Sequence, residues 1–298
     1  MRRNREDKGG KSEDTEDNIM VTDTDIKAEL ERLRQGISTI ATTCKRMVKM
    51  GGKLSCSCET KTCSLDGAKL VCLDEDVRPV PGSCLALNFG IGFEMTFDKV
   101  LVNYGCQVIA LDPTNANITN SVYDANITDI VKRINTNSNM HTRKFHALNL
   151  GIDDKPTTMI LNLTMNGDHY ISSVATYLTY KAILDTLDNP RVDILKLDIE
   201  GIEWRVLNQI LNSPDAKQLL QYTHQILLEV HLDFLNHVSD ANVIFEGTWI
   251  TLKTLRLLQN FGFYVAAYDL NETGQKIFAF NDVRIPLYRE LTLIKRLP

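Results

Sequence analysis

Residues 84–114 read CLALNFGIGFEMTFDKVLVNYGCQVIALDPT. An apolar run over 84–89 breaks at Gly90 and Gly92. An amphipathic stretch follows over 93–105, and a second apolar run ends at Asp112-Pro113. Strand, glycine turn, helix and strand make one unit of a parallel sheet, because parallel neighbours need a crossover between them. Glycine suits the turn, where the backbone must bend sharply and let another group approach.

The alternation continues towards the C-terminus. RKFHALNLG, VDILKLDI and QILLEVHL read as strands, and TTMILNLT as a strand or half of a hairpin. Residues 121–134, VATYLTYKAILDTL, EWRVLNQIL and 248–261 read as helices, and FYVAAYDL and KIFAFN as closing strands. The pattern predicts an α/β domain over 83–298, with a mostly parallel sheet, helices on both faces and an antiparallel closing strand.

Three segments precede that domain. Residues 1–25 are charged and lack aromatic residues, so a disordered tail is expected. Residues 26–50 predict an amphipathic helix: Ile26, Leu30, Leu33, Ile37, Ile40, Cys44 and Met47 share one stripe, with Asp25 as cap and Gly51-Gly52 as stop. Gly36 interrupts the stripe. It can pack on the domain or meet a partner through 26–47. Residues 51–82 read as a cysteine-bearing connector.

With 298 residues, 43% of them hydrophobic, the chain can bury one large core. Its formal charge of −5 offers no basic face for nucleic acid. No run of about 18 apolar residues exists, so no membrane insertion is expected. The compartment reads as cytoplasmic by default, or as the secretory-pathway lumen if an anchor precedes this stretch. All seven cysteines lie within the first 106 residues, which allows disulfides with one spare thiol, or buried thiols. Cys56, Cys58 and Cys63 lack the paired spacing of a zinc site, and no metal is expected.

In such a sheet, ligands bind beyond the carboxyl ends of strands, where strand order reverses. Asp112 falls 20 positions after Gly92, a spacing at which an acid can bind both ribose hydroxyls. A dinucleotide turn would carry a third glycine where Met95 stands, and Glu94 would repel a pyrophosphate. The same acid suits the cation of S-adenosyl-L-methionine, so Asn88, Gly90, Gly92, Glu94 and Asp112 are candidate cofactor residues. A tight turn without a ligand is the plain alternative.

In VDILKLDIEGIEW, Lys196, Asp198 and Glu200 alternate and share one face. Asp198 is a candidate for cofactor binding and, with Glu200, for catalysis; helix capping is the alternative. Lys196 is expected to form an ion pair, and Glu203 and Trp204 to serve surface and packing roles. In ILLEVHL, Glu229 and His231 share a face. His231 is a candidate general base, and His231, Asp233 and His237 match no strong metal signature.

Taken together, KRMVKMGG, DGAKLVCLDEDVRPVPGSC, FGIG, YGCQVIALDPT, FHALNLGI, VDILKLDIEGIEWRVLNQIL, QILLEVHL and YRELTLIK resemble the animal methyltransferase-like domain proteins related to the FkbM methyltransferase group. The resemblance runs from about Arg46 to the C-terminus. It implies a Rossmann-like class I methyltransferase fold that uses S-adenosyl-L-methionine. It carries Gly90, Gly92 and Asp112 onto cofactor binding, and Asp198 and Glu200 onto the site at the fourth strand. Many class I enzymes have an acid where Asn88 stands; Asn orients the turn without charge. FkbM-type relatives suggest methyl transfer to oxygen on a small molecule, a sugar or a protein. A cofactor-free scaffold and a nicotinamide oxidoreductase are the rival readings.

Overall fold

A computed structural model describes residues 22–56, 63–92, 94–114, 145–165, 169–236, 240–270 and 276–296. The expected helix at 121–134, most of the expected tail, and His237 lie outside them.

The chain opens on a helix, Asp23–Ser38 (α1). Thr22, not Asp25, is its N-cap; Asp25 sits at the third helical position and completes a reciprocal capping box. Ile26, Leu30, Leu33 and Ile37 are buried in the chain's main core. A Cβ at Gly36 would lie 2.2 Å from Leu252, so this glycine permits a close helix contact. The stripe was expected to reach Met47, but the helix stops at Ser38. A disulfide joins Cys44 to Cys72, and the chain beyond it enters a strand.

Four short strands follow in the expected connector region: Met47–Met50 (β1), Lys53–Cys56 (β2), Cys63–Asp66 (β3) and Lys69–Cys72 (β4). β1 pairs antiparallel with β4, and β2 with β3, so Gly51-Gly52 joins two strands. The connector is therefore ordered hairpin structure in its described part, pinned to the sheet through Cys72 and Gln225, as set out below.

The quoted unit folds as Leu85–Phe89 (β5), Thr96–Tyr104 (α2) and Gln107–Leu111 (β6). Phe145–Leu148 (β7) and Gly151–Ile152 (β8) come next, then a hairpin of Thr157–Met165 (β9) and His169–Leu178 (β10). Helix was expected from Val174. Val174–Tyr177 instead continues β10 antiparallel to β9, Leu178 pairs with Ile152 of β8, and Tyr180–Thr186 (α3) begins only after Thr179, whose hydroxyl accepts from the Ala182 amide. Cross-strand pairing of β-branched residues outweighs helical spacing here.

Ile194–Leu197 (β11), Glu203–Asn212 (α4), Ala216–Leu219 (α5), Gln225–His231 (β12) and Ala241–Asn260 (α6) complete the alternation. Phe263–Leu270 (β13), Ile277–Phe280 (β14), Val283–Pro286 (β15) and Tyr288–Lys295 (β16) end it. The central sheet has the described order β13-β16-β12-β11-β5-β6-β7. β7, β6, β5, β11 and β12 run parallel; β16 is antiparallel to both of its neighbours. Of the expected closing strands, FYVAAYDL is β13, whereas KIFAFN forms β14 in a separate hairpin with β15.

Strand periodicity divides the core. Leu85, Leu87 and Phe89 face a layer holding α1, α3, α4 and α6. Ala86, Val108, Ile194 and Leu227 face Phe97 and Leu101 of α2, with Met50 and Val71 of the β1–β4 pair. Both faces of the sheet are covered. A second disulfide, Cys84–Cys106, joins the residues just before β5 and β6.

Candidate active site

Strand order reverses between β5 and β11. β6 and β7 follow β5 on one side, while β11 and β12 lie on the other. A cavity of about 540 Å³ opens at the carboxyl ends of these strands, within the range of a small-molecule site. Every residue expected at the site lines it: Asn88, Gly90, Gly92, Glu94, Asp112, Asp198, Glu200 and His231.

One wall is the glycine turn. Gly90 and Gly92 have φ of 78° and 50°, in the left-handed region. A Cβ at Gly90 would lie 1.6 Å from the Asp198 carbonyl oxygen, whereas one at Gly92 would meet none of the described residues within 4 Å. Asp112 faces the turn: its Oδ2 accepts from the Ile91 amide at 2.9 Å and the Gly92 amide at 2.7 Å. Its Oδ1 accepts from the Thr114 amide and hydroxyl. The carboxylate expected to meet a ribose thus also shapes the turn, and its acceptor positions are engaged by the chain itself.

Asn88 donates from Nδ2 to Asp98 Oδ1 at 2.6 Å, both residues being buried. Burial pushes the Asp98 carboxyl up, against the Asn88 hydrogen bond and the Lys196 charge. Asn88 Oδ1 and Asp98 Oδ2 are buried acceptors that meet no partner among the described residues. Asp98 thus sets a carboxyl group beside Asn88 in the cavity lining. Glu94 accepts from the Thr96 amide at the start of α2 and packs where a Cβ on Gly67 would meet its Cγ at 2.4 Å.

The opposite wall is charged. β5, β11 and β12 place Asn88, Lys196, Asp198, Glu229 and His231 on the sheet face that carries Ala86, Ile194 and Leu227 deeper in. Lys196 Nζ donates to the Gly90 carbonyl at 2.7 Å and pairs with Asp198 at 3.2 Å. Lys69 Nζ lies 3.4 Å from Asp198 and 3.2 Å from Glu229, and also pairs with Glu290. Burial alone would raise the Asp198 pKa; Lys196 and Lys69 outweigh it and hold the carboxyl well below its usual range. Burial pushes Glu290 up to about 8 despite Lys69.

His231 Nδ1 lies 2.9 Å from Glu203 Oε1, and its Nε2 is 3.7 Å from Glu200. Burial would lower its pKa, but the Glu203 hydrogen bond and charge outweigh burial and push it up to about 9. Glu203, expected at the surface, is wholly buried, and its Oε1 also accepts from the Ile199 and Gly201 amides. The alternative of helix capping by Asp198 and Glu200 does not hold: the α4 N-cap is Ile202, without a side-chain bond. Glu200 is exposed with φ of 55°, and Trp204 is buried, as packing requires.

Donor atoms of Asp198, Glu229 and His231 lie within 4.8 Å of one another, a spacing an ion can bridge. The Lys69 ammonium already stands beside two of them. Sequence reasoning missed Lys69, Glu290, Glu203 and Asp98. For Lys69 and Glu290 the available signal was charge carried in an otherwise apolar strand, as in KLVC and RELTLI.

This geometry, a mostly parallel sheet with an acidic cavity at its switch point, defines an α/β protein whose architecture is compatible with a methyltransferase fold. The family described as "Methyltransferase FkbM domain" matches residues 86–265, more than half of the chain, and the chain belongs to that family. It is similar to the human protein named "Probable methyltransferase-like protein 24", at 23% identity over 193 residues. That match covers 63% of this chain and 44% of the human protein, so the chain spans less than half the length of this relative. Among the described residues, no helix is long and apolar enough to cross a membrane.

Proposed function

We propose that the chain is an S-adenosyl-L-methionine-dependent methyltransferase of the Rossmann-like class I type, acting on an oxygen acceptor. The observation that carries this reading is a pair of buried acceptors, Asn88 Oδ1 and Asp98 Oδ2, that meet no partner among the described residues and belong to side chains lining the cavity at the switch point. An ammonium group would satisfy both, and leaving such atoms unpaired is costly. Gly92 leaves open space for a nucleoside to lie against the turn. When bound, the cofactor supplies a methyl group activated on a cationic sulfur.

The chain's own residues divide the remaining work. Asp198, fixed as a carboxylate between two lysines, lines the cavity and is unsuited to taking a proton. His231 is the base. Glu203 holds the Nδ1 proton, which leaves Nε2 to accept the proton of the acceptor hydroxyl. Because the His231 pKa lies at about 9, its base form grows as pH rises to that value. Glu200 stands exposed at the rim, where it meets the acceptor. Disulfides at Cys44–Cys72 and Cys84–Cys106 support an oxidising compartment, the secretory-pathway lumen.

Calorimetry with S-adenosylhomocysteine tests the reading. Saturable binding that weakens in Asp98→Ala is expected; no heat at millimolar ligand overturns it. The engaged acceptors of Asp112 favour one rival, a cofactor-free scaffold, and that rival predicts the silent titration.

A further inference from the structure

Lys69 is 1% exposed and does not line the cavity, yet it touches two residues that do, Asp198 and Glu229. It comes from β4, outside the segment 86–265 that matches the family. Its third partner, Glu290 on β16, also lies outside that segment. Burying an ammonium costs several kcal/mol unless acidic groups surround it, and three acidic side chains do so here.

The strand that delivers this lysine is fastened at several points. Cys72, three residues on, is bonded to Cys44. The Gln225 amide accepts from the Cys72 N–H at 2.9 Å and donates to the Cys72 carbonyl at 2.7 Å. Thr292 donates to the Leu70 carbonyl at 2.7 Å. So much anchoring fixes where the ammonium falls, between β12, β16 and the end of β11.

We propose that Lys69 is the resident cation of the active site and a positioning residue for the reaction, holding the Asp198 and Glu229 side chains aimed at the cavity where an ion would otherwise bridge them. The cluster of Asp198, Glu229 and His231 has the spread of a cation site. A lysine tethered from the N-terminal hairpin replaces that cation with one the chain always carries. The charge needed at the family domain's site is thus supplied by a strand appended to it.

The test removes the ammonium and asks whether a free ion takes its place. Mn2+ binding is read by electron paramagnetic resonance, and S-adenosylhomocysteine affinity by calorimetry. Wild-type protein should bind no stoichiometric Mn2+. Lys69→Ala should gain a Mn2+ site that Asp198→Asn abolishes, and should bind S-adenosylhomocysteine about tenfold more weakly. Saturating Mn2+ should restore most of that loss, which a merely structural role would not allow, and Lys69→Arg should lose less than Lys69→Ala. If the alanine variant does not fold, Lys69→Met combined with Glu290→Leu keeps the volume and gives the same two readouts. Stoichiometric Mn2+ binding by the wild type, lost in Asp198→Asn, overturns the proposal. So does a folded Lys69 variant that gains no Mn2+ site. The affinity measurement rests on the methyltransferase reading; the Mn2+ measurement does not, so failure of one is distinguishable from failure of the other.

Discussion

The two walls of the cavity are made of different materials. On one, Asp112 gathers the amides of Ile91 and Gly92 across a separation of 20–21 residues. On the other, Lys69 meets Asp198, Glu229 and Glu290 across 129, 160 and 221 residues. The first wall is backbone held by short local bonds. The second is side-chain charge assembled from four strands, and it titrates between pH 6 and 9 through His231 and Glu290. Shape and charge are thus separately adjustable in one site, and variants on each wall should fail in different ways.

The largest effect is expected on the backbone wall. Gly90→Ala forces a Cβ onto the Asp198 carbonyl at positive φ and should cost about 4 kcal/mol of stability. Thermal unfolding should show the same loss at pH 6 and at pH 9; a pH-dependent loss would erase the contrast between the walls.

On the charged wall the effect should follow pH. His231 has its pKa raised from 6.5 to about 9 by Glu203. Its contribution to stability is therefore complete below pH 6.5 and is lost as pH rises through 9, an expected change of about 3 kcal/mol. Glu203→Gln should flatten that slope and lower the histidine pKa, read by NMR titration of the ring. An unchanged His231 titration would show that Glu203 is not its partner.

A comparable loss, about 3 kcal/mol, should follow Cys44→Ser with Cys72→Ser, which opens a closure spanning 28 residues. Denaturant melts measure it. Because β4 carries Lys69, the pair should also weaken S-adenosylhomocysteine binding, whereas the equivalent change at Cys84 and Cys106 should act mainly on stability. The smallest effect is expected for Asp112→Asn. Presenting an amide nitrogen to the turn's N–H donors should weaken ligand binding about tenfold in calorimetry, or about 1.4 kcal/mol.

The same division explains what could be read from the residues alone. The β5–α2–β6 unit, the parallel sheet and the shared face of Asp198, Glu229 and His231 all follow from periods of two and 3.6, which are local properties. So does the approach of Asp112 to the turn. Lys69 and Glu290 were not legible, because they meet only after β4 crosses β12 and β16, and no local spacing encodes that crossing. Glu203 looked like a surface acid at a helix start; its burial depends on β12 bringing His231 against it. The end of α1 escaped because Cys44 continues the apolar stripe while its bond to Cys72 draws the chain away.

The bond between Cys84 and Cys106 has a consequence for how the turn can move. It closes β5, the glycine bend and α2 into a covalent ring, cinched at the end of the sheet away from the cavity. A protease cut anywhere inside that ring would leave the polypeptide in one piece until a reductant was added. A guest pressing on Gly90 likewise cannot spread the ring at its foot, so any yielding has to occur at the rim.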